Sequence, residues 1–334
     1  MALDDTFNMQ RPGQSNSAGA VNALHIEQYT GVVESTIERK SVIKPFVPIR
    51  AVKGTSMITN FAVGESTLQK VTVGAQLDGT TNDFAKRVLT VDTLIAARNA
   101  FPLLESFQTS YDARSEVGME HGKKIAKFLD QAFIIQAIKA AQFTESTYKG
   151  SGASGKPAGH FGGSQQTLAL AGDALDPAKL YQAIADLFVK METKDVDPRT
   201  DDVIIAVKPA EFYTLLANEQ LIDSTYITAD GNSVKAHLLK AYGVPVISTN
   251  NSPAGTTVTG HLLSNSDNSN AYDGDFTKVV ACAFSPRALM AGETIPLTTD
   301  VFYDKLYKSW FVDAHLAFGV TPNRAEFSGI ILKP

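Results

Sequence analysis

One long helix constrains the fold of this chain more than any other feature. Residues 110–141, "SYDARSEVGMEHGKKIAKFLDQAFIIQAIKAA", repeat apolar side chains at helical spacing, with Asp130 among the polar positions. Asp112 can cap the first turn, and Glu116 suits its positive end. About thirty residues at 1.5 Å each give about 45 Å, well beyond the mean helix of about 11–12 residues. We expect this helix to be a central structural element around which other elements pack.

The segment before the helix predicts a long hairpin. Strand-like alternation occurs near 57–63 and again near 86–96, and "VLTVDTLIAAR" at 88–98 shows it clearly. A polar stretch of about twenty residues, punctuated by glycine, separates the two. Most connections inside compact domains are about 4–6 residues long. We therefore expect the hairpin to reach away from the body of the protein.

The segment after the helix alternates between helices and strands. A Gly/Ser/Ala-rich connector is followed by predicted helices in "DPAKLYQAIADLFVKME", "KPAEFYTLLANE" and "NSVKAHLLKAYG". Buried strands are predicted in "DDVIIAV", "VPVISTN" and "FTKVVACAF". The tail after residue 293 alternates like two long antiparallel strands and a final short one. Within it, the aromatic residues of 301–311 suit a strand better than a base-stacking surface.

The sequence offers no convincing active site. "GSGASGKP" at residues 150–157 resembles a phosphate-binding loop, but Pro157 stands where a magnesium-binding hydroxyl is needed. The loop also lacks a strand before it and a helix after it. The six histidines do not show metal-ligand spacing, and no G-x-S-x-G elbow is present. We expect no catalytic residue, no cofactor and no metal.

Bulk properties narrow the function classes further. The net charge of −5 argues against an obligate nucleic-acid binder. The one cysteine, Cys282, lies in an apolar setting, which indicates a buried thiol in a reducing compartment. The first 22 residues lack the basic region and apolar core of a signal peptide, and no apolar run is long enough to span a membrane. We expect a protein made in a cytosol, without membrane contact.

The order of these parts resembles the major capsid proteins of short-tailed, T-seven-type podoviruses, which share the Hong Kong 97-like fold. The stretches that carry the resemblance are "YDARSE" at 111–116, "VLTVDTLIAAR" before it, "VGAQLDG" within the hairpin, and the run from "FSPRALMAGETIPLTTD" to "GIIL". The resemblance implies an α+β protein with an arm, an extended loop, a peripheral domain around the long spine helix, and an axial α/β domain. The implied boundaries are 1–45 for the arm, 46–90 for the extended loop, 91–145 with 293–334 for the peripheral domain, and 146–292 for the axial domain, including the connector 146–176.

The resemblance also implies a function and partners. Copies of the chain would assemble as hexamers and pentamers into the icosahedral shell of a virion, formed in the host bacterial cytoplasm. A scaffolding protein and a portal protein would take part, with a decoration or minor capsid protein as a further partner. Double-stranded DNA would be packaged against the inner face. A bacterial nanocompartment shell and, more remotely, a nucleotide-binding enzyme are the alternatives.

Contact candidates lie in the extended loop. Its apolar side chains would supply contact area on a neighbouring subunit, and its charged side chains would fix the register of that contact. The residues are Glu65, Leu68, Lys70, Val71, Val73 and Leu77.

Overall fold

The computed structural model describes residues 33, 41–64, 68, 70, 74, 84–103, 114–148, 160–217, 226–227, 233–234 and 240–334. By its internal contacts the chain forms two compact units. The first unit comprises residues 1–56, 91–130 and 292–319, and the second comprises 57–90, 131–291 and 320–334. The domain boundaries implied by the resemblance remain a prediction, and they divide the chain at other residues.

The described elements mix helices with many short strands, as expected for the α+β class. The helices are α1 (Arg114–Gln142), α2 (Pro177–Glu192) and α3 (Pro209–Leu216). The strands are β1 (Ile49–Ala51), β2 (Met57–Val63), β3 (Phe84–Thr90), β4 (Ile95–Pro102), β5 (Ser164–Thr167), β6 (Ile204–Val207), β7 (Tyr226–Ile227), β8 (Ser233–Val234), β9 (Lys240–Ala241), β10 (Val244–Ser248), β11 (Thr257–Val258), β12 (Gly274–Asp275), β13 (Val279–Phe284), β14 (Leu289–Asp304), β15 (Ser309–Pro322) and β16 (Ser328–Leu332).

Most predicted elements are confirmed, but one helix is wrong and the strand expected near 86–96 is divided, because β3 ends at Thr90 and β4 begins at Ile95. The long helix α1 runs for 29 residues, although its expected cap at Asp112 lies outside the described residues. The helix expected in 232–243 is contradicted at its described ends, because β8 and β9 are strands there. Tyr242 and Gly243 have φ of 52° and 88°, which makes them a tight hairpin turn between β9 and β10.

A four-stranded sheet organises the first unit, in the order β1-β14-β15-β4. Strands β15 and β4 are antiparallel, and their register places Asp313 opposite Arg98. The first part of α1 belongs to the same unit. There the rings of Phe128 and Phe318 meet edge to face with centroids 5.6 Å apart, a favoured aromatic geometry.

Asp130 is buried. Its position among polar residues in the sequence had indicated a solvated helix face instead. Its carboxylate accepts hydrogen bonds from Ser41 Oγ (2.6 Å), the Val42 amide (3.0 Å) and the Ile43 amide (3.2 Å). The Lys44 amide in turn donates to Ser41 Oγ at 3.1 Å. A buried carboxylate is tolerated where donors satisfy it, so Asp130 anchors the turn at 41–47 to the helix.

A six-stranded sheet organises the second unit, in the order β5-β16-β13-β6-β10-β9. Strands β6 and β13 are buried along their whole length. Helix α2 covers this sheet with an apolar face. It begins where the Asp176 carboxylate accepts from the amides of Ala178 and Lys179, with Pro177 in the first turn. Strand β16 lies so close to α2 that a Cβ at Gly329 would collide with Leu187.

The second part of α1 is the core of this unit. Eight of its apolar residues are fully buried, so this part of the helix is enclosed around most of its circumference: Ala132, Phe133, Ile134, Ile135, Ala137, Ile138, Ala140 and Ala141. The chain returns against the helix end at Gly163, where a Cβ would lie 2.6 Å from the carbonyl oxygen of Ala140. Only glycine allows so close an approach of two backbones.

Candidate intersubunit surface

The extended hairpin is a two-stranded antiparallel sheet formed by β2 and β3. Its register runs from Met57 opposite Thr90 to Val63 opposite Phe84. Both strands show the same alternation of exposed and buried residues, position by position. Because side chains alternate across a strand, the hairpin has one inward face and one outward face.

The inward face packs into the second unit. Ile58, Ala62, Ala85 and Leu89 are all buried, and the two alanines form a small core with Tyr148. Burial of this kind raises the pKa of the Tyr148 phenol. The hairpin base is therefore an integral part of the second unit.

The outward face is largely apolar and exposed. Phe61 is 74% exposed and Phe84 is 67% exposed. Around them lie Met57, Val63 and Val88, which are also exposed. Val63 and Phe84 are direct cross-strand partners, and Phe61 is on the same face, opposite Lys86. Thr59 and Thr90 share this face as well, so it is largely but not wholly apolar. Contiguous exposed apolar patches on a folded chain mark interaction surfaces. We call the five apolar residues the outward hairpin face.

Polar contacts from Asn60 on β2 and Arg87 on β3 hold the hairpin against residues 321–323. We call these contacts the clamp at the hairpin base. Arg87 donates from Nε to the Pro322 carbonyl oxygen and from Nη2 to Thr321 Oγ1, both at 3.2 Å. Asn60 Nδ2 donates to Asn323 Oδ1 at 3.2 Å, and the Tyr148 hydroxyl donates to the same oxygen. Burial lowers the pKa of Arg87, yet the guanidinium stays charged. The clamp presents the outward hairpin face in a fixed orientation, which lowers the entropy lost on binding.

The contact candidates predicted from sequence are only partly described. Leu68 is 99% exposed, and Lys70 is exposed as well. Glu65, Val71, Val73 and Leu77 lie outside the described residues, so their role stays a prediction. The glycine-rich 150–157 segment also lies outside them.

Four of the aromatic residues near 301–311 are strand residues, as the sequence indicated: Phe302, Tyr303, Trp310 and Phe311. Tyr307 instead lies in the turn at 305–308 between β14 and β15. Phe302 stacks on Phe311 with centroids 5.5 Å apart, and Tyr303 meets Trp310 at 5.3 Å. These are contacts between β14 and β15. Cys282 is buried, and burial raises the pKa of its thiol to about 12, which makes it an inert thiol.

Sequence reasoning missed the outward hairpin face. The candidates were placed in the loop beyond the strands, whereas the most exposed aromatic residues of the hairpin, Phe61 and Phe84, are in the strands themselves. The signal was present: β2 and β3 carry apolar residues at both alternate sets of positions. A strand with one solvated face would be polar at one set.

Solved structures with the same fold are shells of viruses and related particles. The capsid structure of cyanophage P-SCSP1u aligns with a TM-score of 0.72 at 18% identity, over 99% of this chain and 94% of that one. The mature capsid of bacteriophage PhiM1 aligns at 0.71 and 23% identity, over 100% and 92%. A virus-like particle of Pyrococcus furiosus aligns at 0.54 and 10% identity, over 92% and 99%. The fold is the phage capsid fold.

A family model identifies the class of protein. Residues 60–292 match the model of the Gp10A-like major capsid proteins, and this chain belongs to that family. It is a structural protein of the virion shell, as the resemblance implied, and not an enzyme. The nanocompartment alternative is not favoured by the family match. No curated protein matches the sequence significantly. Among the described helices, none is sufficiently long and apolar to cross a membrane.

Proposed function

We propose that the outward hairpin face is the surface by which each subunit of the shell holds a neighbouring copy. One observation carries the proposal: a clamped two-stranded hairpin buries one face in its own unit and leaves a second, largely apolar face exposed. An apolar surface of this kind is stabilised when a partner removes it from water. The partner that a shell protein always has at hand is another copy of itself.

Many contacts of this kind would hold a closed shell. A single protein interface of standard size buries about 1,600 Å² and need not be tight. Each subunit would give one hairpin and receive another, and the combined contacts would act together. The same proposal includes assembly as hexamers and pentamers, with a scaffolding protein and a portal protein taking part. It also includes packaged DNA inside the shell. The family assignment supports these parts of the proposal.

The domain map belongs to this proposal too. The arm at 1–45 and the extended loop at 46–90 would reach neighbours, while the peripheral parts (91–145 and 293–334) and the axial part (146–292) would form the wall. Leu68 supports this map, because an apolar side chain that is 99% exposed beyond β2 is well placed to enter a contact. Podovirus ancestry remains the expectation drawn from the sequence resemblance.

A single introduced thiol tests the hairpin contact. Cys282 is buried and inert, so a Phe61→Cys variant carries one reactive thiol at the centre of the outward hairpin face. We expect a maleimide reagent to label it rapidly in free subunits and at least tenfold more slowly in assembled shells. Tyr213→Cys, at a 70% exposed position on α3, serves as a comparison site outside the hairpin. Equal labelling of the Phe61→Cys thiol in subunits and shells would show that this face is not a contact.

Charge on the same face tests whether the contact is needed. We expect the double variant Phe61→Asp/Phe84→Asp to give folded subunits that form no shells, because burying two carboxylates in an apolar contact is unfavourable. The matched Phe61→Leu/Phe84→Leu variant keeps an apolar surface and should still assemble. Electron microscopy with the scaffolding protein present detects assembled shells. Circular dichroism of the subunits shows whether they are folded, so the two methods together distinguish failed assembly from failed folding. Normal shells from the Asp variant would refute the proposal.

A further inference from the structure

Three metal-ligating side chains meet on the four-stranded sheet of the first unit. Asp300 is on β14, and Asp313 and His315 are two positions apart on the adjacent strand β15. One ligand atom from each residue lies within 4.8 Å of the other two. Asp313 is buried, His315 is half-buried and Asp300 is exposed. The cluster therefore runs from a buried carboxylate to an exposed one.

The carboxylate of Asp313 is only half satisfied. Arg98 donates to Oδ2 from both Nε (3.1 Å) and Nη2 (2.6 Å). The other oxygen, Oδ1, is buried and has no hydrogen-bond partner among the described residues. Asp313 is only 3% exposed, so water does not readily replace the missing donor. A buried polar atom without a partner is unfavourable and calls for a ligand.

The charges around Asp313 favour a cation. Asp300 brings a second carboxylate to Asp313 from the neighbouring strand, and like charges in contact across strands are destabilising. Arg98 neutralises one of the two, but its side chain is 55% exposed and directed to Oδ2. The ring of His121 also interacts electrostatically with Asp313, but its Nε2 is hydrogen-bonded to Asn99 Oδ1 at 2.7 Å. Within the described part of the chain, one negative charge of the pair is left to be balanced.

We propose that Asp300, Asp313 and His315 bind a divalent transition-metal ion of the Zn²⁺ type. Two carboxylate oxygens and one imidazole nitrogen are a donor set that Zn²⁺ accepts, with a water completing four-coordination. The imidazole disfavours Mg²⁺ and Ca²⁺, which prefer oxygen ligands. Bonds of about 2.1 Å require ligand atoms about 3.4 Å apart, so ligand atoms that now lie within 4.8 Å of one another would move closer on binding. Of the three side chains, the exposed Asp300 has the most room to move.

The bound ion would join strands along the sheet. It would link β14 to β15, and the Arg98 pair already links β15 to β4. Shell formation would then occur through one region of the subunit, while the ion would stabilise another. The inference does not rest on the hairpin contact, so either one can fail without the other.

The test uses the untagged full-length chain as free subunits, stripped with EDTA and titrated with Zn²⁺ by calorimetry. We expect one strong site in the parent chain and at least tenfold weaker binding in Asp300→Asn and in His315→Gln. Glu293→Gln, which removes a carboxylate elsewhere on β14, should bind as the parent does. Asp300 is exposed, so its variant should fold, and melting of the metal-free proteins checks this.

Co²⁺ gives an independent readout of the same site. Bound by these three ligands and a water, it should produce the visible absorption of tetrahedral Co²⁺ in the parent and Glu293→Gln chains, and lose it in the two ligand variants. Zn²⁺ affinity and Co²⁺ spectra that are the same in all four proteins would overturn the proposal. So would a parent chain that shows no strong site.

Discussion

Replacing Asp130 should release the turn at 41–47 without unfolding the rest of the chain. In Asp130→Ala, Ser41 Oγ and the Ile43 amide lose a charged acceptor in a buried setting. A hydrogen bond to a charged group contributes about 1.5–3 kcal/mol, so the two together amount to about 3–6 kcal/mol. The Val42 amide is only partly buried, and water can replace its acceptor.

Asp130→Asn should produce a smaller and more local effect. The amide oxygen can take the place of Oδ1, which accepts from both Ser41 and Ile43. The amide nitrogen then takes the place of Oδ2 and opposes the Val42 amide, because both groups are donors. We therefore expect a loss of about 1–3 kcal/mol, concentrated at Val42.

Hydrogen exchange with mass spectrometry measures these losses directly, because amide exchange reports local opening. Each 1.4 kcal/mol is tenfold in rate, so exchange in peptide 41–47 should rise by about 10² or more in Asp130→Ala, up to the rate of the open segment. Ser41→Ala, which removes one donor, should give about a ten- to a hundredfold rise, smaller than that in Asp130→Ala. Protection in 41–47 that is unchanged in Asp130→Ala would refute the anchor role of this carboxylate.

Three further predictions follow from other parts of the structure. Gly163→Ala should destabilise the second unit by about 1–3 kcal/mol or more, because its Cβ collides with the backbone of α1. The control is Gly172→Ala, because the space around Gly172 is open. Thermal melting compares the stability of the two variants. Burial lowers the pKa of His121 and of His261; the unfolded chain therefore binds protons first, and unfolding free energy should fall as pH drops below about 6.5. Deleting residues 66–76 should leave folded subunits that form no shells, as seen by electron microscopy.

Each of these has an outcome that contradicts it. Equal melting temperatures for the two glycine variants would show that the helix end adjusts freely to a new Cβ. A urea midpoint that does not fall between pH 7.5 and 5.5, or that falls equally in a His121→Gln/His261→Gln variant, would show that these imidazoles do not control acid stability. Normal shells from the deletion variant would show that the loop is dispensable.

Long periodic segments were the part of the fold that sequence could predict. Helix α1 and the β14–β15 pair carry their pattern over many residues, so local errors average out. The helix expected in 232–243 was wrong at its described C-terminal end, where the turn at Tyr242 and Gly243 joins β9 to β10. Two successive residues with positive φ favour a hairpin, and this turn chemistry outweighs the apolar spacing around it.

Long-range pairing explains the rest of what was missed. In the sequence, Asp130 has the position of a solvated helix residue. It is buried only because the turn at 41–47 packs over it, and no local sequence pattern predicts a contact between residues so far apart. Asp300, Asp313 and His315 show no metal-binding spacing in the sequence, because adjacent strands bring them together. The family resemblance predicted the class of protein correctly, since it rests on the order of parts along the chain.

The clamp at the hairpin base has a mechanical consequence. A pull on the hairpin passes through Asn60 and Arg87 into residues 321–323, and along the backbone into β16. Strand β16 is bonded on both sides, to β5 and to β13, so tension along it meets two rows of hydrogen bonds that must break together. In the proposed contact, a neighbour that pulls on the hairpin would therefore pull against the whole six-stranded sheet.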